Sequence, residues 1–140
     1  MQYYDRIKDV DVPVLNDGQL YIYVLENSPQ GNIKIGMSTN MQQRLHSLSG
    51  SNSGGNKITR CAISDATYLY TLERILHNIF REHRIDGTEW FHGDNISFAT
   101  VCQKANELFA SIEYQKCNEV RKTFVARYGA NPLKETWILA

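Results

Sequence analysis

An α/β fold of the α+β kind is what the sequence predicts, on three observations. Two runs rich in β-branched and aromatic residues, QLYIYVLE and NIKIGM, flank a turn-forming stretch. A third such run, KITRCAIS, follows at 57–64. Between and after these strands, apolar residues recur at helical spacing. The order is therefore strand, strand, helix, strand, helix, with more helix to follow.

Residues 1–18 mix charges with Pro13 and the Asn16-Asp17-Gly18 turn signal, and read as an irregular leader ending at a strand start. The first strand, 19–26, is too continuously apolar to keep one face wet. Asn27-Ser28-Pro29-Gln30-Gly31-Asn32 supplies a reversal, so the first two strands form a hairpin. Alternation sets Ile33 and Ile35 on one side and Lys34 and Gly36 on the other, which aims Lys34 away from the core. Ser38-Thr39-Asn40 then offers N-cap oxygens for a short helix carrying Met41, Leu45 and Leu48 and ending near Gly50. SGSNSGGN (49–56) has no apolar area to bury and is expected to be a mobile loop.

After the third strand, a helix is expected from Asp65, with Leu69, Leu72, Leu76, Ile79 and Phe80 as its buried stripe. Glu73 and His77, four residues apart, share a face beside that stripe. The Asp86-Gly87 turn leads to Glu89-Trp90-Phe91, where Glu89 can join a site and the two aromatics anchor a core edge. A third helix is expected from about 95 to 112 and can continue through Cys117, Val120, Phe124 and Tyr128 until Gly129 and Pro132 stop it. Spacing alone does not locate the break.

The 140 residues suffice for one core, and 42% hydrophobic content is ordinary for a globular chain. No apolar run approaches the ~20 residues of a membrane span, so no membrane partner is expected. The N-terminal MQYYDRIKDVDVP lacks the apolar stretch of a secretory signal. Cys61, Cys102 and Cys117 are odd in number and lack C-x-x-C spacing, which argues against disulfides or cysteine-bound zinc and for a reducing, cytoplasmic setting. Fifteen lysines and arginines balance fifteen acidic residues, yet residues 34–84 hold seven cations against three carboxylates. That surplus offers Lys57, Arg60, Arg81 and Arg84, with Tyr21, to face nucleic acid.

The same segment holds most of the constellation that carries chemistry. Hydrolysing a phosphodiester needs a group to handle the attacking water, cations facing the phosphate and a carboxylate for a divalent metal. Tyr23, Lys34, Arg44 and Glu73 are residue types able to fill those roles. Each also has a plainer reading: tyrosines pack in strands, a lysine guards an edge, and Arg44 and Glu73 decorate helix surfaces. Spacing favours Tyr23 over Tyr21 as the functional phenol. His77 is open between contacting phosphate, holding Glu73 and covering its helix.

Tyr21-Ile22-Tyr23, Lys34-Ile35-Gly36, Arg44 ten residues after Lys34, and Glu73 on a later helix resemble the GIY-YIG nuclease superfamily. Lys34-Ile35-Gly36 in place of YIG, the string Leu72-Glu73-x-x-Leu76-His77-x-x-Phe80 and Glu89-Trp90-Phe91 look like its phage and microbial branch. The resemblance covers about residues 19–92, leaving 1–18 as a leader and 93–140 as a helical extension packed on or extending the same domain. It implies a small three-stranded antiparallel sheet flanked by helices, and a DNA endonuclease in the cytoplasm, of a host if phage-encoded. By analogy Tyr23 is the general base or hydrogen-bond partner of the water, Arg44 faces the phosphate, and Glu73 binds magnesium or manganese. Lys34 stands where the family has a second tyrosine. An ammonium near Tyr23 is expected to favour its phenolate, lowering a pKa of about 10.

Two readings stand beside nuclease action: a nucleic-acid-binding module that kept the fold and lost cleavage, and a regulatory domain binding protein through its long helix. A neutral domain holds DNA weakly. Dimerisation or a targeting partner, through the apolar stripe from Phe98 to Tyr128, is therefore expected to help, and RNA is not excluded as a substrate.

Overall fold

The computed structural model describes residues 1–50 and 57–129. Its centre is a five-stranded antiparallel sheet in the order β1-β4-β2-β3-β5. The strands are β1 (Gln2–Tyr4), β2 (Gln19–Ser28), β3 (Ile33–Ser38), β4 (Lys57–Thr67) and β5 (Trp90–Phe91). Among the described residues four α-helices accompany them: α1 (Met41–Gly50), α2 (Leu72–Ile79), α3 (Phe98–Phe109) and α4 (Ile112–Tyr128). The expected three-stranded sheet is thus corrected to five, within a fold that remains α+β. The two added strands are three and two residues long. Segments that short show no alternation in sequence, and pairing with a longer neighbour is what makes them strands.

β2 is the middle strand, and its register explains its unbroken apolar content. Ile22 and Val24 join a core with Ile33, Ile35, Leu72, Leu76, Phe91, Val101 and Cys102, under α2 and α3. Tyr21, Tyr23 and Leu25 join a second core on the other face, with Met41, Leu45, Cys61 and Ile63. Ile7, Val10, Val12 and Leu15 pack against that second core. Within the irregular leader expected at 1–18, the chain supplies an edge strand and covers one face of the sheet. Sequence pattern missed this because only isolated apolar residues, spaced by charges, do the covering.

Local chemistry sets the element ends. The Asn27 backbone N–H donates to Asn32 O at 3.0 Å and its side-chain Oδ1 accepts from Asn32 N at 2.8 Å, closing the β2–β3 hairpin. Asn40 Oδ1 accepts from Gln43 N at 3.0 Å and caps α1, as the Ser-Thr-Asn string predicts. Part of the expected 49–56 loop, residues 51–56, lies outside the described residues, as does Pro132.

The expected helix start at Asp65 is overturned. β4 runs on to Thr67, with Asp65, Ala66 and Thr67 opposite Tyr21, Leu20 and Gln19, and α2 begins at Leu72. Cross-strand pairing outweighs the helical pattern there. Leu72, Leu76 and Phe80 are buried as expected, whereas Leu69 and Ile79 stand 36% and 41% exposed.

The long C-terminal helix breaks at Ala110-Ser111, where Ser111 Oγ accepts from Tyr114 N at 3.1 Å and caps α4. The expected apolar stripe splits accordingly. Phe98, Val101, Cys102 and Ala105 of α3 enter the core, while Ile112, Val120 and Tyr128 of α4 are exposed. Arg121 is buried and donates to Asp17 O at 2.7 Å, tying α4 to the turn before β2. Gly129, at φ +60°, ends the helix in a backbone region that favours glycine.

Candidate functional site

The antiparallel register places Tyr23 opposite Gly36. Both point to the α1 face, and a Cβ on residue 36 would overlap the Tyr23 ring and hydroxyl. Glycine at 36 is thus the cradle that lets the phenol cross the strand toward the β3 edge. Beyond Lys34 no strand among the described residues pairs with that edge, because β5 covers only Ile33 and Lys34.

Tyr23 is 1% exposed, and no group among the described residues hydrogen-bonds its hydroxyl. The one fully buried side-chain polar atom without a partner there is Thr67 Oγ1, so the Tyr23 hydroxyl retains access to solvent. Burial pushes the phenol up to about 12; Arg44 pulls it down, and Glu89 and Glu73 push it further up. The phenolate expectation is corrected here. The lowering cation is Arg44, and the Lys34 ammonium is held by Glu89 at 3.1 Å and lies 5.6 Å from the Trp90 ring centre.

Lys34 also departs from its expected outward placement. Its side chain is 11% exposed, because the face it points to is itself covered. An ammonium so enclosed needs a carboxylate, and Glu89, just ahead of β5, supplies it. Glu89 thereby enters the site as a second carboxylate. Its sequence signal was only proximity to Trp90-Phe91; the pairing with a residue 55 positions away is not visible in local spacing.

Glu73 lies in the first turn of α2, half-buried, with His77 Nε2 3.2 Å from its Oε1. His77 Nε2 is also 2.8 Å from Ile35 O. This nitrogen donates its hydrogen to Ile35 O, which ties α2 to β3 and holds the ring within 3.2 Å of the Glu73 carboxylate. Edge-to-face packing on Phe91 at 5.0 Å steadies the ring. Burial raises the Glu73 pKa, His77 lowers it, and Glu89 raises it again.

Arg44 is exposed on α1 and in no ion pair among the described residues. Tyr23, Arg44, Glu73, His77, Lys34 and Glu89 therefore share one electrostatic neighbourhood, although they come from four elements and the segment before β5. Of the residues expected to face nucleic acid, two are engaged within the fold. Tyr21 is buried, its hydroxyl donating to Pro13 O. Arg60 is gripped by Glu26 through two 2.9 Å bonds and lies over Phe98, so its charge is neutralised. Lys57, Arg81 and Arg84 are exposed; Arg84 Nε donates to Thr88 O at 2.6 Å.

Among the described residues no three His, Cys, Asp or Glu side chains cluster to hold a metal. Glu73, anchored by His77 at a cleft wall, fits magnesium in another manner. That ion keeps several waters and is commonly held by one or two carboxylates with substrate phosphate oxygens. The cleft beside Glu73 encloses about 670 Å³ between the β2–β3 end and the start of α2. No helix among the described residues is long and apolar enough to cross a membrane.

A family model, the T5orf172 domain, matches residues 20–125. That span runs from β2 into α4. No curated protein and no solved structure matches the chain.

Proposed function

We propose, from the premise that this chain belongs to the T5orf172 domain family, that it is a GIY-YIG-type endonuclease that hydrolyses DNA with a divalent metal. The observation that carries this reading is the free Tyr23 hydroxyl in the shared field of Arg44, Glu73 and Glu89. The Tyr23 ring is buried, while its hydroxyl has no hydrogen-bond partner among the described residues and stays open to solvent. A water or phosphate oxygen would complete it.

In this reading Arg44, charged and unpaired, binds the non-bridging oxygens of the scissile phosphate as charge develops on them. Tyr23, protonated at neutral pH because its pKa lies near 12, orients the attacking water by hydrogen bonding, and that water passes its proton to solvent as its oxygen bonds to phosphorus and the leaving oxygen departs. His77 is a positioning residue that keeps the Glu73 carboxylate turned to the cleft. Magnesium or manganese held by Glu73 would polarise the phosphate and stabilise the leaving oxygen. Lys34 and Glu89 neutralise each other and set the local field without touching substrate.

Purified protein incubated with plasmid, single-stranded DNA and RNA, in magnesium, manganese or chelator, tests the reading. Cleavage is expected only with metal, and Glu73→Gln is expected to lose about 10²- to 10³-fold in rate at unchanged melting temperature. Absence of cleavage from every substrate, or a Glu73→Gln variant as fast as wild type, overturns it.

A further inference from the structure

We infer that the cleft beside Glu73 binds an unpaired nucleobase adjoining the scissile phosphate, so that the preferred substrate is single-stranded or locally unpaired nucleic acid. This rests on the nuclease reading and names the substrate class of that same site.

The lining suits a base and little else that a nuclease meets. Two of the large exposed apolar side chains, Met37 (50%) and Leu69 (36%), both face this hollow. Singly such residues are unremarked surface, but together in a concavity with an aromatic ring they form a binding patch. Tyr70 supplies that ring, fixed edge-to-face against Tyr114 at 5.4 Å and 86°. A volume of about 670 Å³ falls within the range of pockets that enclose small organic groups, about 300–1,000 Å³.

Polar groups stand where the rest of a nucleotide would need them. The Thr71 side chain makes no capping bond to α2, which leaves its hydroxyl able to donate to or accept from a base edge. Arg74 lines the cleft and is exposed, giving a cation for a neighbouring phosphate. Glu73 belongs both to this wall and to the candidate site, so a nucleotide seated here presents its phosphate to Glu73. A paired base cannot enter: its faces are stacked and its edge is occupied, so only a base already out of the helix reaches an enclosed aromatic and apolar wall.

The test uses an oligonucleotide with 2-aminopurine at an unpaired position and the same probe fully paired, with binding in chelator and cleavage in magnesium. The unpaired probe is expected to bind about tenfold more tightly than the paired one, with its fluorescence quenched on binding. Leu69→Glu and Met37→Glu, at exposed positions that leave the fold intact by melting temperature, are expected to erase that preference. Equal affinity for both probes, or a preference that survives both substitutions, overturns the base cleft. Cleavage of both probes at one rate keeps the nuclease reading and defeats the cleft. Selective, substitution-sensitive binding with no cleavage supports the cleft and defeats the nuclease reading.

Discussion

Two hollows of similar size lie on the α2–α3 side of the sheet, and the polar groups around them are in opposite states. One, about 750 Å³, lies between β1 and α3 and is lined by Tyr3, Arg60, Phe98, Cys102 and Asn106. There Arg60 is bound to Glu26, and Asn106 donates to the Tyr3 hydroxyl at 2.6 Å and accepts from the N-terminal amine at 2.9 Å. The other, about 670 Å³, has Glu73 in its wall, and Glu73 in turn shares its field with Arg44, in no ion pair, and with the Tyr23 hydroxyl, without a hydrogen-bond partner among the described residues. The fold satisfies the first hollow by itself and leaves the second incomplete. Size therefore does not mark the site, and unfinished hydrogen bonding does.

The largest test of this contrast exchanges arginines. Arg44→Ala removes an uncompensated cation and is expected to slow cleavage about 10²- to 10³-fold, with stability changed by less than about 0.5 kcal/mol. Arg60→Ala strips the partner from a Glu26 side chain that is 18% exposed. It is expected to cost about 1 kcal/mol of stability and leave the cleavage rate as it was. Cleavage assays beside urea titrations decide the matter, and an Arg60→Ala variant as impaired in cleavage as Arg44→Ala would break the comparison.

A smaller effect is expected from Gly36→Ala. Its methyl meets the Tyr23 ring and hydroxyl, so the phenol must move. Overpacking is expected to cost about 1–3 kcal/mol, and displacement of the hydroxyl up to about 10²-fold in rate. Gly93→Ala is the control: there the new Cβ meets the Gly31 carbonyl on the hairpin, away from Tyr23. That variant is expected to lose stability with no added loss of rate per folded molecule. Equal rates for the two variants at equal folded fraction would remove Gly36 from the site.

Sequence and structure meet most closely where spacing is short. The β2–β3 hairpin, the Asn40 cap, the α2 stripe of Leu72, Leu76 and Phe80, and the Glu73–His77 pair all depend on residues within a few positions of one another. What spacing does not reach is distant pairing. β1 exists because Gln2–Tyr4 lies against Cys61–Ile63, and Asp65–Thr67 is strand because Gln19–Tyr21 lies beside it. Among site residues, Lys34 shows the same gap: its sequence position suggests a free ammonium, and Glu89, far along the chain, takes it. Local charge surplus likewise overstates the field, since Lys34 and Arg60 are both neutralised by partners outside the 34–84 segment.

The smallest expected effect separates the two flanks by pH. Burial pushes Tyr23, Cys61 and Cys102 each up to about 12, from ordinary values of 10.0 for the phenol and 9.0 for the thiols. The folded state holds all three neutral, whereas the unfolded chain ionises them from about pH 9 or 10 upward. Their contribution is therefore fully present below pH 9 and is lost as pH rises toward 12. Melting temperature is expected to be flat in these groups from pH 7 to 9 and to fall from 9 to 11. Cys102→Ala, in the satisfied hollow, removes part of that fall and leaves the rate profile alone. Tyr23→Phe removes another part and also bears on catalysis. If the phenol orients water as a neutral donor, the variant is slower at every pH but keeps the wild-type slope of log rate against pH between 7 and 9. If the phenol is instead the base, its ionised fraction grows about tenfold per pH unit below 12, and the slope that Tyr23→Phe abolishes measures that role directly.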